Sequence, residues 1–233
     1  MKIKSVVATW IHVPIPEADQ HISDFGVIAA FDTTLVRIET ESGLVGYGEG
    51  RASVFSSGNN APLVSLINED LGPALVGENA SNPARLWEYM YNGTRAHFAL
   101  ARARPFPALG RRGLTIAAIS AIDMALWDIL GRSLDVPVWQ LLGGLTHVKL
   151  PAYASGGWAP AEKIGEQLQS YIDRGSFKSV KMRVGTGDGE VAASVRRVHA
   201  ARDHLGYTGA ACHQTGEWRR SLHHHFGAFR RHH

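Results

Sequence analysis

Hydrophobic and polar positions alternate through the first fifty residues, and they predict strands over residues 3–15, 33–40 and 44–49, the last two joined by the turn Glu41-Ser42-Gly43. Val36 and Ile38 fall on one face of the second strand, and Leu35, Arg37 and Glu39 on the other. One dry and one wet face imply an antiparallel meander packed on one side. The glycine-bearing stretches around residues 17–26 and 53–60 lack a period and read as mobile loops able to close over a site. From Pro62 the period turns helical, with Leu63, Leu66, Ile67 and Leu71 on one stripe. A second helix opens at Asn82-Pro83, where a capping residue precedes a proline in the first turn, and carries Leu86, Tyr89 and Met90. A proline-broken basic connection, residues 101–112, leads to a long apolar helix over 114–132. A sheet followed by segregated helices is an α+β domain.

Beyond Gly144 the pattern becomes strand (148–155, VKLPAYAS), helix (161–174), strand (179–184) and helix (190–204). Strands separated by helices of this length pair in parallel through right-handed crossovers, so an α/β region begins here. A closed eight-fold barrel takes about 250 residues. The pattern is lost after residue 206. The expected organisation is therefore residues 1–135 as the α+β domain, 136–206 as the first βα units of a barrel, and 207–233 as an irregular tail.

Composition narrows the function classes. With 45% apolar residues the chain can offset its ordering entropy, which excludes wholesale disorder. The lone Cys212 excludes an internal disulfide framework and a Cys-rich zinc site, in keeping with a cytoplasmic location. The formal charge of +3 comes wholly from residues 207–233, which hold four Arg and one Glu along with six of the twelve His. A neutral body with a basic end argues against a nucleic-acid partner, which calls for Lys and Arg along one folded face. No signal peptide is evident at the N-terminus. The apolar run 114–130 contains Asp123 and Asp128 and is shorter than the ~20 residues that span a bilayer, so a buried helix and no membrane partner are expected.

The stretch AISAIDMALWDILGRSLDVPVWQLLGG, residues 118–144, resembles the signature of the mandelate racemase and muconate lactonizing enzyme family of the enolase superfamily. It contains Ser120, Ala121, the pair Asp123 and Asp128, Gly131-Arg132, Pro137 and the Leu141-Leu142-Gly143-Gly144 close. The strand ending GLVGYGEG is similar to that family's capping domain, and SVKMRVG, residues 179–185, to its second barrel strand. The resemblance covers roughly residues 1–206. It implies a capping domain followed by a modified TIM barrel, here incomplete, in a C-terminally truncated member.

Enzymes of this family abstract the proton beside a carboxylate and stabilise the enediolate on Mg²⁺; the full-length relatives implied are acid-sugar dehydratases or hydroxy-acid racemases. The resemblance puts the catalytic positions at Lys181 and Arg183, two residues apart and so on one face of the strand. Arg183 stands where the family usually has a second Lys. A guanidinium stays protonated and is a poor base but a good clamp on a carboxylate, which favours one-base dehydration over two-base racemisation. The family's metal ligands are acids on the third to fifth strands; here the corresponding run, Cys212 to Trp218, puts His213 at the acid's place. Imidazole suits Mg²⁺ poorly, so no competent Mg²⁺ site, and an inactive chain, are expected. Asp123 and Asp128 read as structural acids, and Trp127, Trp139 and Trp158 as packing residues. The main alternative is a non-catalytic capping module that self-associates into a homo-oligomer through an unpaired strand edge. A dinucleotide turn at Gly185-Thr186-Gly187-Asp188-Gly189 is weaker, since Glu190 occupies the third glycine's place. The substrate implied is a small hydroxy acid or sugar acid.

Overall fold

The alternation of the first fifty residues folds as a three-stranded antiparallel sheet in order β1-β4-β5, formed by β1 (Ile3–Pro14), β4 (Ala30–Thr40) and β5 (Val45–Gly50). The structure is a computed structural model, and it describes residues 1–23, 26–52, 59–93, 101–103, 112–157, 159–182 and 191–206. The stretch read as a loop between the first two strands carries a hairpin, β2 (His21–Ser23) against β3 (Gly26–Ile28). Strands of three residues are too short to display a period.

The chain divides into two compact units, Met1–Thr146 and a second from His147 onward. In the first, the inner sheet face (Val6, Ala8, Val36 and Ile38) is covered by α1 (Ala61–Leu66), a π-turn (Ile67–Leu71), α2 (Gly72–Leu75), α3 (Pro83–Asn92) and α4 (Leu114–Leu134). The dry face is thus the helix-packed one, and the opposite face stays open, with Val13, Phe31 and Tyr47 exposed.

The glycines of β5 set the distance between sheet and helix. Every second residue, Gly46, Gly48 and Gly50, faces α4, and the facing helix positions Ala117, Ala121 and Ala125 are four apart. A Cβ on Gly48 would lie within van der Waals overlap of the Ala121 carbonyl and 2.8 Å from the Ala125 nitrogen, so helix and strand meet backbone to backbone. The helix is 21 residues long, four more than its apolar core in the sequence, and is by length and composition able to cross a membrane. Length is thus no argument against that reading. Its packing is one: Ile119, Ile122, Leu126 and Ile129 are fully buried against the sheet and neighbouring helices.

Side chains close both edges of the sheet. On β1, the Asn68 amide accepts from the Ala8 N–H (2.7 Å) and donates to the Ala8 carbonyl (3.0 Å), standing in for a neighbouring strand. On β5, Asp128 accepts from the Tyr47 N–H at 2.9 Å and from Arg132 Nε at 3.0 Å. Asp128 is accordingly structural, as the sequence suggested.

After the short helix α5 (Val138–Leu141), the second unit follows its expected order: β6 (Ala154–Gly156), α6 (Ala161–Gly175), β7 (Val180–Met182) and α7 (Val191–Leu205), with β6 and β7 parallel. The predicted strand from Val148 shrinks to its last residues. Pro151 interrupts it, and Val148 and Leu150 are 86% and 77% exposed.

Candidate functional site

Lys181 sits in the middle of β7, and strand alternation decides where it points. Its neighbour Val180 is buried in the cluster of Ala154, Ile164, Leu168, Val198, Ala201 and Leu205, so one face of the β6–β7 pair is packed by α6 and α7. Lys181 and its register partner Ser155 therefore share the other face, and both are exposed. Arg183, the next residue of the same parity, lies outside the described residues, as do Trp158, the 185–189 turn and His213 in the tail.

The chain leaving β6 is held beside this pair. Gly157 has φ +80°, a backbone state that L side chains rarely adopt, and a Cβ there would come 2.6 Å from the Met182 Cβ. Arg197 of α7, itself buried, donates through Nη2 to the Gly157 carbonyl (2.7 Å) and through Nε to the Ala159 carbonyl (2.9 Å). A buried guanidinium needs such acceptors. The consequence is a fixed turn at the carboxyl end of β6, alongside Ser155 and Lys181. No sequence signal marked Arg197, because a cation on a helix reads as solvated until its burial is known.

The first unit holds a second organised polar cluster, also missed from sequence. Asp32 of β4 is buried on the inner sheet face and accepts at Oδ1 from Trp10 Nε1 (2.6 Å) and His12 Nδ1 (2.8 Å), both on β1. Burial pushes the Asp32 carboxyl up, but the hydrogen bonds from His12 and Trp10 and the charges of His12 and Arg51 hold it, on balance, below its ordinary value. Oδ2 of Asp32 and Oγ1 of Thr34, two residues on along the same face, are buried and find no hydrogen-bond partner among the described residues. The register shows why they converge: His12 pairs with Asp32 and Trp10 with Thr34.

Asp123 of α4 is partly buried, and burial raises its carboxyl above the ordinary value against an opposing hydrogen bond from Trp127. Trp139 is 47% exposed. Among the described residues, no three His, Cys, Asp or Glu side chains come together as a metal-binding group.

Residues 7–143 match the family model described as mandelate racemase / muconate lactonizing enzyme, N-terminal domain. The chain is 34% identical over 207 residues to a 3,6-anhydro-alpha-L-galactonate cycloisomerase of Streptomyces coelicolor, covering 88% of this chain and 52% of that protein. It is 40% identical over 130 residues to a D-galactonate dehydratase of Klebsiella pneumoniae, covering 55% and 29%. A dipeptide epimerase of Enterococcus faecalis V583, solved with Mg and the dipeptide L-Leu-L-Tyr, superposes with a TM-score of 0.67 at 30% identity, over 88% of this chain and 51% of that one. The chain spans about half the length of the Streptomyces and Enterococcus proteins.

Proposed function

The chain belongs to the mandelate racemase / muconate lactonizing enzyme family, within the enolase superfamily, and on that premise we propose that it contributes the capping domain and the second-strand cation to proton abstraction beside the carboxylate of a small hydroxy acid. The observation that carries this reading is Lys181, exposed beside Ser155 on the face of β7 opposite the helices, where a modified TIM barrel has its lumen. There an ammonium group neighbours the substrate carboxylate, and Arg183, two residues on in the sequence, clamps it. A carbon acid beside a carboxylate is so weak that fixed positive charge must meet the developing dianion. In water-poor surroundings such charge counts for more than it does in bulk solvent.

The superfamily's Mg²⁺ is not matched by the donors in hand. The described residues offer no converging oxygen ligands, and the sequence places His213, a nitrogen donor, where an acid is required. No step is therefore routed through Mg²⁺. We infer that the chain alone takes up no stoichiometric Mg²⁺ and turns over no acid sugar, and that it works in the cytoplasm alongside further barrel strands. Isothermal titration with Mg²⁺ checks the first statement; tight one-to-one heat would overturn it.

The functional reading is tested with a chimera that joins residues 1–182 to the remaining barrel of the Streptomyces cycloisomerase. Turnover of an acid sugar is expected, and Lys181→Met should lower it by about 10²–10⁴-fold, the usual scale for a positioned proton-transfer or charge-stabilising group. An active chimera indifferent to Lys181→Met would refute the assignment.

A further inference from the structure

We propose that the open face of the three-stranded sheet is a self-association surface, on which two copies of this chain meet sheet to sheet, with Glu49 of each copy set against Lys4 and Arg37 of the other. The surface lies wholly within the first unit and is independent of the reaction proposed above.

The face expected to be wet is not uniformly polar. Odd-numbered residues of β1 and β4 point away from the helices, because the even-numbered Val6, Ala8, Val36 and Ile38 are buried beneath them. Val7, Thr9, Ile11 and Val13 thus line one side of the open face, and all four are β-branched. Opposite them on β4 stand Arg37, Leu35, Thr33 and Phe31, and Tyr47 of β5 lies beyond Arg37. Val7, Val13, Phe31 and Tyr47 are between 44% and 55% exposed. Strands solvated on one face alternate apolar with polar residues, whereas strands covered on both read as nearly continuous apolar runs, and β1 follows the second pattern from Val6 to Val13. Three strands at ~4.8 Å spacing over about 20 Å of length give on the order of 300 Å² in projection, a size at which exposed apolar patches are often functional.

The charges on this face select the occupant. Lys4 Nζ (2.7 Å) and Arg37 Nη2 (2.8 Å) both pair with the carboxylate of Glu39, which leaves one positive charge in excess at that end. Glu49, opposite Leu35, accepts from the Thr33 hydroxyl at 2.8 Å and forms no ion pair among the described residues. The face therefore presents one unmatched charge of each sign beside its apolar residues. A purely acidic or purely basic partner would neutralise one of the two and desolvate the other unpaired. A second copy related by a two-fold axis neutralises both, since each side of an isologous contact supplies what the other lacks. Edge-to-edge pairing is not the route within this unit, because Asn68 and Asp128 already occupy the margins of β1 and β5.

The test is sedimentation equilibrium of the 233-residue chain, run from about 1 to 300 µM because a footprint of this size belongs to weak association. A monomer–dimer equilibrium is expected. Phe31→Lys should raise its dissociation constant about ten-fold or more, the scale for losing a well-buried interface anchor. Glu49→Lys and Arg37→Glu should each weaken the dimer, and an equimolar mixture of the two should restore it, because each variant supplies the charge that the other has lost. Should a variant fail to fold by circular dichroism, the wild-type chain decides alone: a carbodiimide joins the Lys4 amine to the Glu49 carboxylate with loss of water, and a mixture of ¹⁴N- and ¹⁵N-labelled chains should yield the Lys4–Glu49 peptide pair in mixed-isotope form. A monomer at every concentration, a dimer indifferent to Phe31→Lys, folded charge variants that do not recover on mixing, or the absence of a mixed-isotope link would each overturn the proposal.

Discussion

At the scale of single residues, two carboxylates of the first unit are shifted in opposite directions, Asp32 down by its hydrogen-bond partners and Asp123 up by burial, and each makes a pH-dependent contribution of predictable sign. Asp32 has a folded-state pKa below the unfolded value of 3.8. Its stabilisation is therefore fully present above that value and is lost as pH falls through the lower folded one. Urea midpoints of wild type and Asp32→Asn should differ by a constant amount near neutrality and converge at pH values below 3.8. Asp123 is the reverse case, since burial raises its pKa and penalises the ionised form. Asp123→Asn, which keeps an acceptor for Trp127, should raise the Tm at pH 7, and the gain should disappear on acidification as the native carboxyl takes up its proton. Neither effect is visible in sequence. Asp32 sits on the buried face of an alternating strand with Ala30, Val36 and Ile38, and only the cross-strand pairing with His12 explains a carboxylate there.

At the scale of elements, the seam between β5 and α4 depends on missing side chains. Gly48→Ala puts a methyl group into the Ala121 carbonyl and the Ala125 nitrogen, and neither backbone can yield without moving its whole element. A loss of about 3 kcal/mol, the upper end for overpacking a tight interface, should appear as a shifted denaturant midpoint. The same seam shows what could be read beforehand. The GLVGYGEG strand and the long small-residue helix were both legible as elements and as marks of the family, because their periods are long and strict. Their mutual contact was not, since glycine spacing on a strand and alanine spacing on a helix gain meaning only once the two are superposed. The hairpin at residues 21–28 and the π-turn at 67–71 escaped for the same reason: each is shorter than one readable period. The strand that carries Lys181 was legible from its pattern, whereas Arg197, which holds the adjacent turn, was not.

At the scale of the whole molecule, the first unit has its own core, running from Ile3 through Leu63 and Leu86 to Ile129. Residues 1–146 expressed alone should melt as one cooperative transition with near-native Tm, read by circular dichroism; a broad, non-cooperative melt would show that the core needs the second unit. The edge contacts also fix an order of events during synthesis. The three strands are complete once Gly50 has emerged, but Asn68, which occupies the edge of β1, follows 18 residues later, and Asp128, which occupies that of β5, follows 78 residues later. At ~5–20 residues per second on the ribosome, the β5 margin stays open for roughly 4–16 s. A nascent chain in that interval presents an unprotected template to its polysome neighbours, so the protein's yield in a cell depends on how fast codons 51 to 128 are read and on whether a holdase is at hand while they are.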